Sequence, residues 1–213
     1  MPSEWLRQRK KDQFHRLAKA RGYRSRASFK LLQINKRYHL IKTGQLVLDL
    51  GAAPGGWLQA ARMAVGTSGF VIGVDTQAIA PLPYSNVLTI VGDIAQPETV
   101  EEIEAKVGGS FDVVLSDLAP NVSGIWEVDH ARQIELARCA VRVACQLLRL
   151  SGNMLVKVFQ GSETREFQME VRSLFRELRI VKPPASRPES AELYLLGLGF
   201  LSNRTKAANN GRE

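Results

Sequence analysis

Hydrophobic and polar positions along this chain switch between two periods, and the switches mark out an order of elements. Short apolar runs bounded by polar or glycine-containing breaks read as buried strands at 46–50, 70–75, 87–92, 111–117, 153–159, 178–182 and 193–200. Stretches with helical spacing of apolar residues lie between most of them, at 56–65, 98–107, about 129–149 and 163–177. Such alternation predicts a mostly parallel sheet with helices on both faces. The last two strands have no helix between them and are joined by the proline-rich stretch 183–188, so the sheet is expected to hold seven strands and to close with an antiparallel pair.

Two further helical segments precede the first strand. The segment from Ser3 to about Lys19 is weakly amphipathic, with Ser3 placed to cap it and only Leu6, Phe14 and Leu17 as apolar positions. The segment 27–38 carries Phe29, Leu31, Leu32 and Ile34, a face able to dock on a core, with Lys30 among them. At the other end, residues 202–213 have almost nothing to bury and read as a disordered tail. The expected organisation is therefore a helical arm over 1–40 packed on a single α/β domain over 41–201, followed by that tail.

Charge changes this picture at one end only. The net charge is +8, and residues 1–40 hold 12 Lys/Arg against 2 Asp/Glu, while the remaining positions hold 17 against 19. A basic arm interleaved with Trp5, Phe14, Tyr23 and Tyr38 suits a polyanion, and nucleic acid is the partner it predicts over a merely solvated helix or a mitochondrial presequence. No apolar run approaches the roughly 20 residues that span a bilayer, and no secretory signal is present, so a cytoplasmic protein without membrane attachment is expected. Cys139 and Cys145 fall on different faces of a predicted helix, and no Cys/His spacing suits a metal.

Candidate chemistry centres on residues 49–57, DLGAAPGGW, a glycine-rich turn from strand to helix. Gly51, Gly55 and Gly56 leave room for a ligand against the backbone, and the spacing lacks the G-x-G-x-x-G pattern that seats a pyrophosphate, which favours a ligand without phosphates. Three acids, Asp49, Asp75 and Asp93, come at the carboxyl ends of successive strands, the binding edge of such sheets. Asp75 stands 19 residues after Gly56, a spacing at which a carboxylate meets a ribose diol, and Asp93 is placed to accept from an adenine amino group. The competing reading of each is a loop acid that caps the next helix. Asp117 ends the strand beside the glycine loop. Lys157 lies between apolar neighbours in its strand, where an unpartnered lysine is rare unless it snorkels to water, and Glu192 stands immediately before an apolar strand.

Taken together, SRASFKLL at 25–32, DLGAAPGGW at 49–57, SDLAP at 116–120, VKVF at 156–159 and SAELY at 190–194 resemble the FtsJ family of ribose 2′-O-methyltransferases over about residues 24–200. The compact chain is most similar to its heat-shock ribosomal RNA branch. The resemblance implies a Rossmann-like methyltransferase fold, with 41–201 as the catalytic domain. It implies S-adenosylmethionine as donor and S-adenosylhomocysteine as product, with Gly51, Gly55, Trp57, Asp75, Asp93 and Asp117 around the donor. It also implies a Lys-Asp-Lys-Glu tetrad formed here by Lys30, Asp117, Lys157 and Glu192, and no metal. The expected substrate is a uridine ribose in large-subunit (23S-type) ribosomal RNA, and the expected state a monomer. Transfer RNA or cap methylation and noncatalytic RNA binding are the alternatives, with a nicotinamide oxidoreductase disfavoured by the glycine spacing.

The chemistry fits these residue types. Methyl transfer to a hydroxyl needs positioning and removal of one proton. Lys157 can accept it only when uncharged. Its apolar neighbours, the ammonium of Lys30 and a cationic donor favour that state, and Asp117 and Glu192 oppose it while orienting the amines. Lys30 and Glu192 are expected to position the ribose, and Asp117 to bridge the donor and acceptor halves.

Overall fold

A computed structural model of the chain describes residues 13–187 and 189–201. The seven apolar runs all form strands: β1 (Leu46–Leu50), β2 (Phe70–Asp75), β3 (Val87–Val91), β4 (Phe111–Ser116), β5 (Leu148–Phe159), β6 (Phe175–Val181) and β7 (Glu192–Phe200). They make one sheet in the order β3-β2-β1-β4-β5-β7-β6. Neighbours are parallel from β3 through to β5, and β7 runs antiparallel to both β5 and β6. The reversed final strand is the one expected from the helix-free connection.

Six helices surround the sheet among the described residues: α1 (Gln13–Ala20), α2 (Ser28–Tyr38), α3 (Gly56–Val65), α4 (Pro97–Val107), α5 (Trp126–Leu147) and α6 (Thr164–Arg172). Strand alternation assigns them to faces. Val47, Val71, Val113 and Leu155 pack with Leu31 and Ile34 of α2 and Leu58 and Val65 of α3 on one side. Leu48, Ile72, Val114 and Val156 pack with Ile103 of α4, Ile134 of α5 and Phe167 of α6 on the other. The arm joins the first side: Ala18 of α1, Phe29 of α2 and Ala185 form a small core with Phe14 and Tyr23 against it. The predicted part of the arm over 1–12 and the predicted tail over 202–213 lie outside the described residues. No helix among the described residues is long and apolar enough to cross a membrane.

Four elements have boundaries that differ from the sequence reading by more than a residue. The helix expected over 129–149 runs from Trp126 to Leu147, and β5 begins at Leu148 rather than 153. Ser151, at φ 62°, precedes Gly152 where the β4–β5 register shifts, so the strand bends there and resumes. The helix expected over 163–177 stops at Arg172, and β6 starts at Phe175 rather than 178. β6 is an edge strand that buries Phe175 and Val181 at its ends and exposes Arg176, Glu177 and Arg179 between them, a charged stretch that reads as helix surface.

Candidate active site

Register brings the expected residues into one line. Asp49 of β1 is level with Gly73 of β2 and Leu115 of β4, and Leu115 is level with Leu155 of β5. Two residues further along each strand, on the same face, come Asp75, Gly51, Asp117 and Lys157, and Lys157 is paired with Tyr194 of β7. A row of polar groups thus crosses the carboxyl edge of the parallel strands on the side covered by α2 and α3. The row passes the gap between β1 and β4, where the connections leave in opposite directions, the place at which open α/β sheets form their binding crevice.

The glycine loop is shaped by its neighbours. Gly51 has φ 79°, and a Cβ there would come within 2.8 Å of Leu118, so the loop after β1 and the loop after β4 touch through this residue. Gly56 opens α3 with Ser25 and Ser28 so close that a Cβ would lie 2.1 Å from Ser25 Oγ. Ser28 Oγ donates to the Gly56 carbonyl at 2.9 Å, and Trp57 Nε1 donates to the Ala27 carbonyl at 2.8 Å. These contacts pin the start of α2 to the loop and so fix where Lys30 descends.

Gly51, Ala53, Asp75, Gly92, Asp93, Asp117 and Leu118 are among the residues lining a cavity of about 440 Å³ along the β2–β1–β4 edge. Asp75 accepts from the Ala53 and Gln77 N–H groups, each at 2.9 Å. Asp93 accepts from the Ala95 N–H at 2.9 Å, a local turn contact and not a cap of the next helix, whose N-cap is Gln96, and it borders the cavity. Gly55 and Trp57, which the resemblance also placed around a donor, do not line it. Gly55 is the residue before α3, and Trp57 is buried at 3% exposure, its ring 5.8 Å from that of Tyr194. Trp57 stands between the loop and Tyr194, with its indole N–H taken by Ala27, the residue before α2.

The four tetrad positions meet beside this cavity. Lys30 Nζ lies 2.6 and 2.7 Å from the two carboxylate oxygens of Glu192, in a pair whose side chains are each 12% exposed. Lys157, at 6% exposure, donates to the Asp117 carbonyl and lies 3.2 Å from Asp117 Oδ1. Ser186 Oγ donates to Glu192 Oε1 at 2.9 Å. Two lysines and two carboxylates therefore balance in charge, a condition for holding ions in a mostly dry site.

Two further residues, not singled out from the sequence, hold the cluster together. Tyr194 donates its hydroxyl to Asp117 Oδ1 at 2.7 Å, and its ring lies 5.8 Å from Lys30 Nζ, so it joins the two ion pairs. Burial, followed by the charges of Asp117 and Glu192, pushes its phenol well above the ordinary value and keeps the proton in place. Gln133 of α5 donates to the carbonyls of Leu118 and Lys157 at 3.2 and 3.0 Å, tying the end of β4 to β5. A glutamine level with His130 and Ile134 on the buried face of a helix was the only signal for it.

Asp49 stands apart. It is fully buried, neither carboxyl oxygen has a partner among the described residues, and burial with the nearby Asp117 and Asp75 raises its pKa well above the ordinary carboxyl value.

A doubly wound sheet with one reversed strand, an acid-lined crevice at its switch point and a charge-balanced Lys-Asp-Lys-Glu cluster beside it defines a Rossmann-like methyltransferase. The chain belongs to the FtsJ-like methyltransferase family, whose profile matches residues 23–200. It is 53% identical over 90% of its length to the ribosomal RNA large subunit methyltransferase E of Methanothrix thermoacetophila, covering 74% of that protein. To the protein of the same name from Methanothermobacter thermautotrophicus it is 46% identical over 94% of its length, covering 95% of that protein. Among solved structures it resembles a Plasmodium falciparum protein described as a candidate ribosomal RNA methyltransferase, with TM-score 0.76 and 27% identity over 84% of this chain and 100% of the other. A Methanococcus jannaschii fibrillarin, 17% identical with TM-score 0.55 over 76% of this chain and 70% of its own, shares the fold alone.

Proposed function

We propose that this chain transfers a methyl group from S-adenosylmethionine to a ribose 2′-hydroxyl, a uridine, in large-subunit ribosomal RNA. The observation that carries the reading is the meeting of Lys30, Asp117, Lys157 and Glu192 at the rim of the cavity lined by Asp75, Asp93 and Asp117. The residues suit the donor. Its ammonium and sulfonium groups are cationic, the cavity wall carries three carboxylates, and Asp49 beneath the glycine loop has two buried oxygens without partners among the described residues. Asp75 and Asp93 keep lone pairs for a ribose diol and an adenine amine. The relatives named for large-subunit ribosomal RNA favour that substrate over transfer RNA or a cap.

When bound, S-adenosylmethionine supplies a methyl carbon activated by its positive sulfur. With that donor held, Lys157 Nζ in its neutral form would take the proton of the ribose hydroxyl as the methyl carbon passes from sulfur to that oxygen and S-adenosylhomocysteine leaves. Asp117 holds Lys157 through two contacts and is itself held by Tyr194, so the acceptor nitrogen does not wander. Lys30, aimed by both oxygens of Glu192, donates to the target nucleotide and fixes its ribose. Positioning of this kind supplies much of the rate in displacements that need little covalent help. The N-terminal arm, with its excess of positive charge, contacts RNA phosphates. The test is a map of ribose methylation in large-subunit RNA from cells with and without the gene: one site should disappear, and an unchanged map overturns the assignment.

A further inference from the structure

The loop after β4 and the start of α5 expose an unusual amount of apolar surface next to the tetrad. All of residues 121–128 are exposed, and Val122, Ile125, Trp126 and Val128 among them are exposed at 73, 58, 45 and 37%. A patch of this kind on a folded protein marks a binding surface. It is also held in shape. Asp129, buried at the first turn of α5, accepts from the Ser123 N–H at 2.7 Å, the Ser123 hydroxyl at 2.8 Å and the Gly124 N–H at 3.1 Å.

Trp126 is oriented from behind. Its ring is stacked on His130 at 5.9 Å and 21° and on Phe159 at 6.1 Å and 23°. His130 is fixed in turn, because its Nε2 accepts the Glu163 N–H at 3.1 Å. The remaining indole surface is presented to solvent as a preset plane.

The stack is built on the same elements as the tetrad. Phe159 follows Lys157 by two positions on β5 and is paired with Glu192, so it lies about 7 Å beyond Lys157 on the same strand face. Trp126, His130 and Gln133 fall on one face of α5, and Gln133 donates to the Lys157 carbonyl. The exposed stack and Lys157 are therefore held by the same strand and helix, close enough for one bound polymer to meet both.

We propose that Trp126 is a stacking platform for an unpaired base of the substrate RNA, at the methylated nucleotide or one of its immediate neighbours. The inference rests on the RNA reading above. Stacking suits the task, since an aromatic plane grips a splayed base without competing for the ions of the tetrad.

Methyl transfer to the RNA is measured with the unaltered chain, Trp126→Ala and Trp126→Phe, on intact RNA and on three RNAs lacking the base at the methylated position or either neighbour. Trp126→Ala should raise KM for intact RNA about 5- to 100-fold, Trp126→Phe should recover most of the loss, and donor affinity should not move. With one of the three abasic RNAs the Trp126→Ala penalty should vanish. RNA should also quench the chain's tryptophan fluorescence more than that of Trp126→Phe. An unchanged KM, or a penalty that persists on every abasic RNA, overturns the stacking proposal while leaving the methyltransferase reading intact. Absence of RNA methylation by the unaltered chain overturns the reading on which both rest.

Discussion

At the residue scale, the site depends on groups whose protons are set by burial. Burial, with Asp117 and Asp75 nearby, raises the carboxyl pKa of Asp49 in the folded chain, so its contribution to stability is fully present below the unfolded pKa near 3.9 and is lost as pH rises through the raised folded value. Asp49→Asn removes that loss. Without donor, the Asp49→Asn variant should match the unaltered chain near pH 4 and melt higher at pH 7.5, by about 2–4 °C for each kcal/mol relieved. Parallel melting curves across that range would show that the carboxyl is not strained by burial. Tyr194 makes the opposite case for a bond worth keeping. Tyr194→Phe deletes the donor to a carboxylate, an interaction worth about 1.5–3 kcal/mol, and should cut kcat about 10- to 100-fold with little change in KM for the donor. A kcat within twofold would mean that Asp117 holds Lys157 unaided.

At the element scale, the apolar periods gave all seven strands, and the missing helix before β7 gave the reversed strand. Wherever charge sat on an edge or a helix ran into a strand without a loop, they misled: β6 exposes Arg176, Glu177 and Arg179, and β5 continues α5 directly at Leu148. Asp117, Lys157 and Glu192 stood out as charged residues in or beside apolar strands, whereas Lys30, on a helix, was joined to them only by the family resemblance. Tyr194 did not stand out, since a tyrosine in an apolar strand reads as core, which it also is at 0% exposure. The loop ahead of α5 carries its own prediction. The Ser123 N–H, the largest influence, holds Asp129 below the ordinary carboxylate range, so its contribution is present above the unfolded pKa near 3.9 and lost as pH falls through the folded value. Asp129→Ala should therefore raise amide exchange at Ser123 and Gly124 at neutral pH, and the difference from the unaltered chain should shrink in acid. Equal exchange at neutral pH would show that the loop keeps its shape without this carboxylate.

At the scale of the whole molecule, the excess positive charge lies in one part of the chain, which also lends Lys30 to the site. The body from 41 onward carries 17 basic against 19 acidic residues, and the arm over 1–40 carries the excess. Replacing basic residues of the arm should weaken RNA binding and flatten its dependence on salt, by about 0.7 in the log–log slope for each lost contact to a single strand, while donor affinity stays the same. An unchanged slope would take the arm out of the interface. The central claim concerns the other part, where Lys157 takes the proton from a ribose hydroxyl. Its most direct test is the single-turnover rate of methyl transfer to large-subunit RNA by Lys157→Ala with the donor bound. Loss of a general base predicts a fall of at least about 100-fold with donor affinity retained, and a near-normal rate would contradict the account.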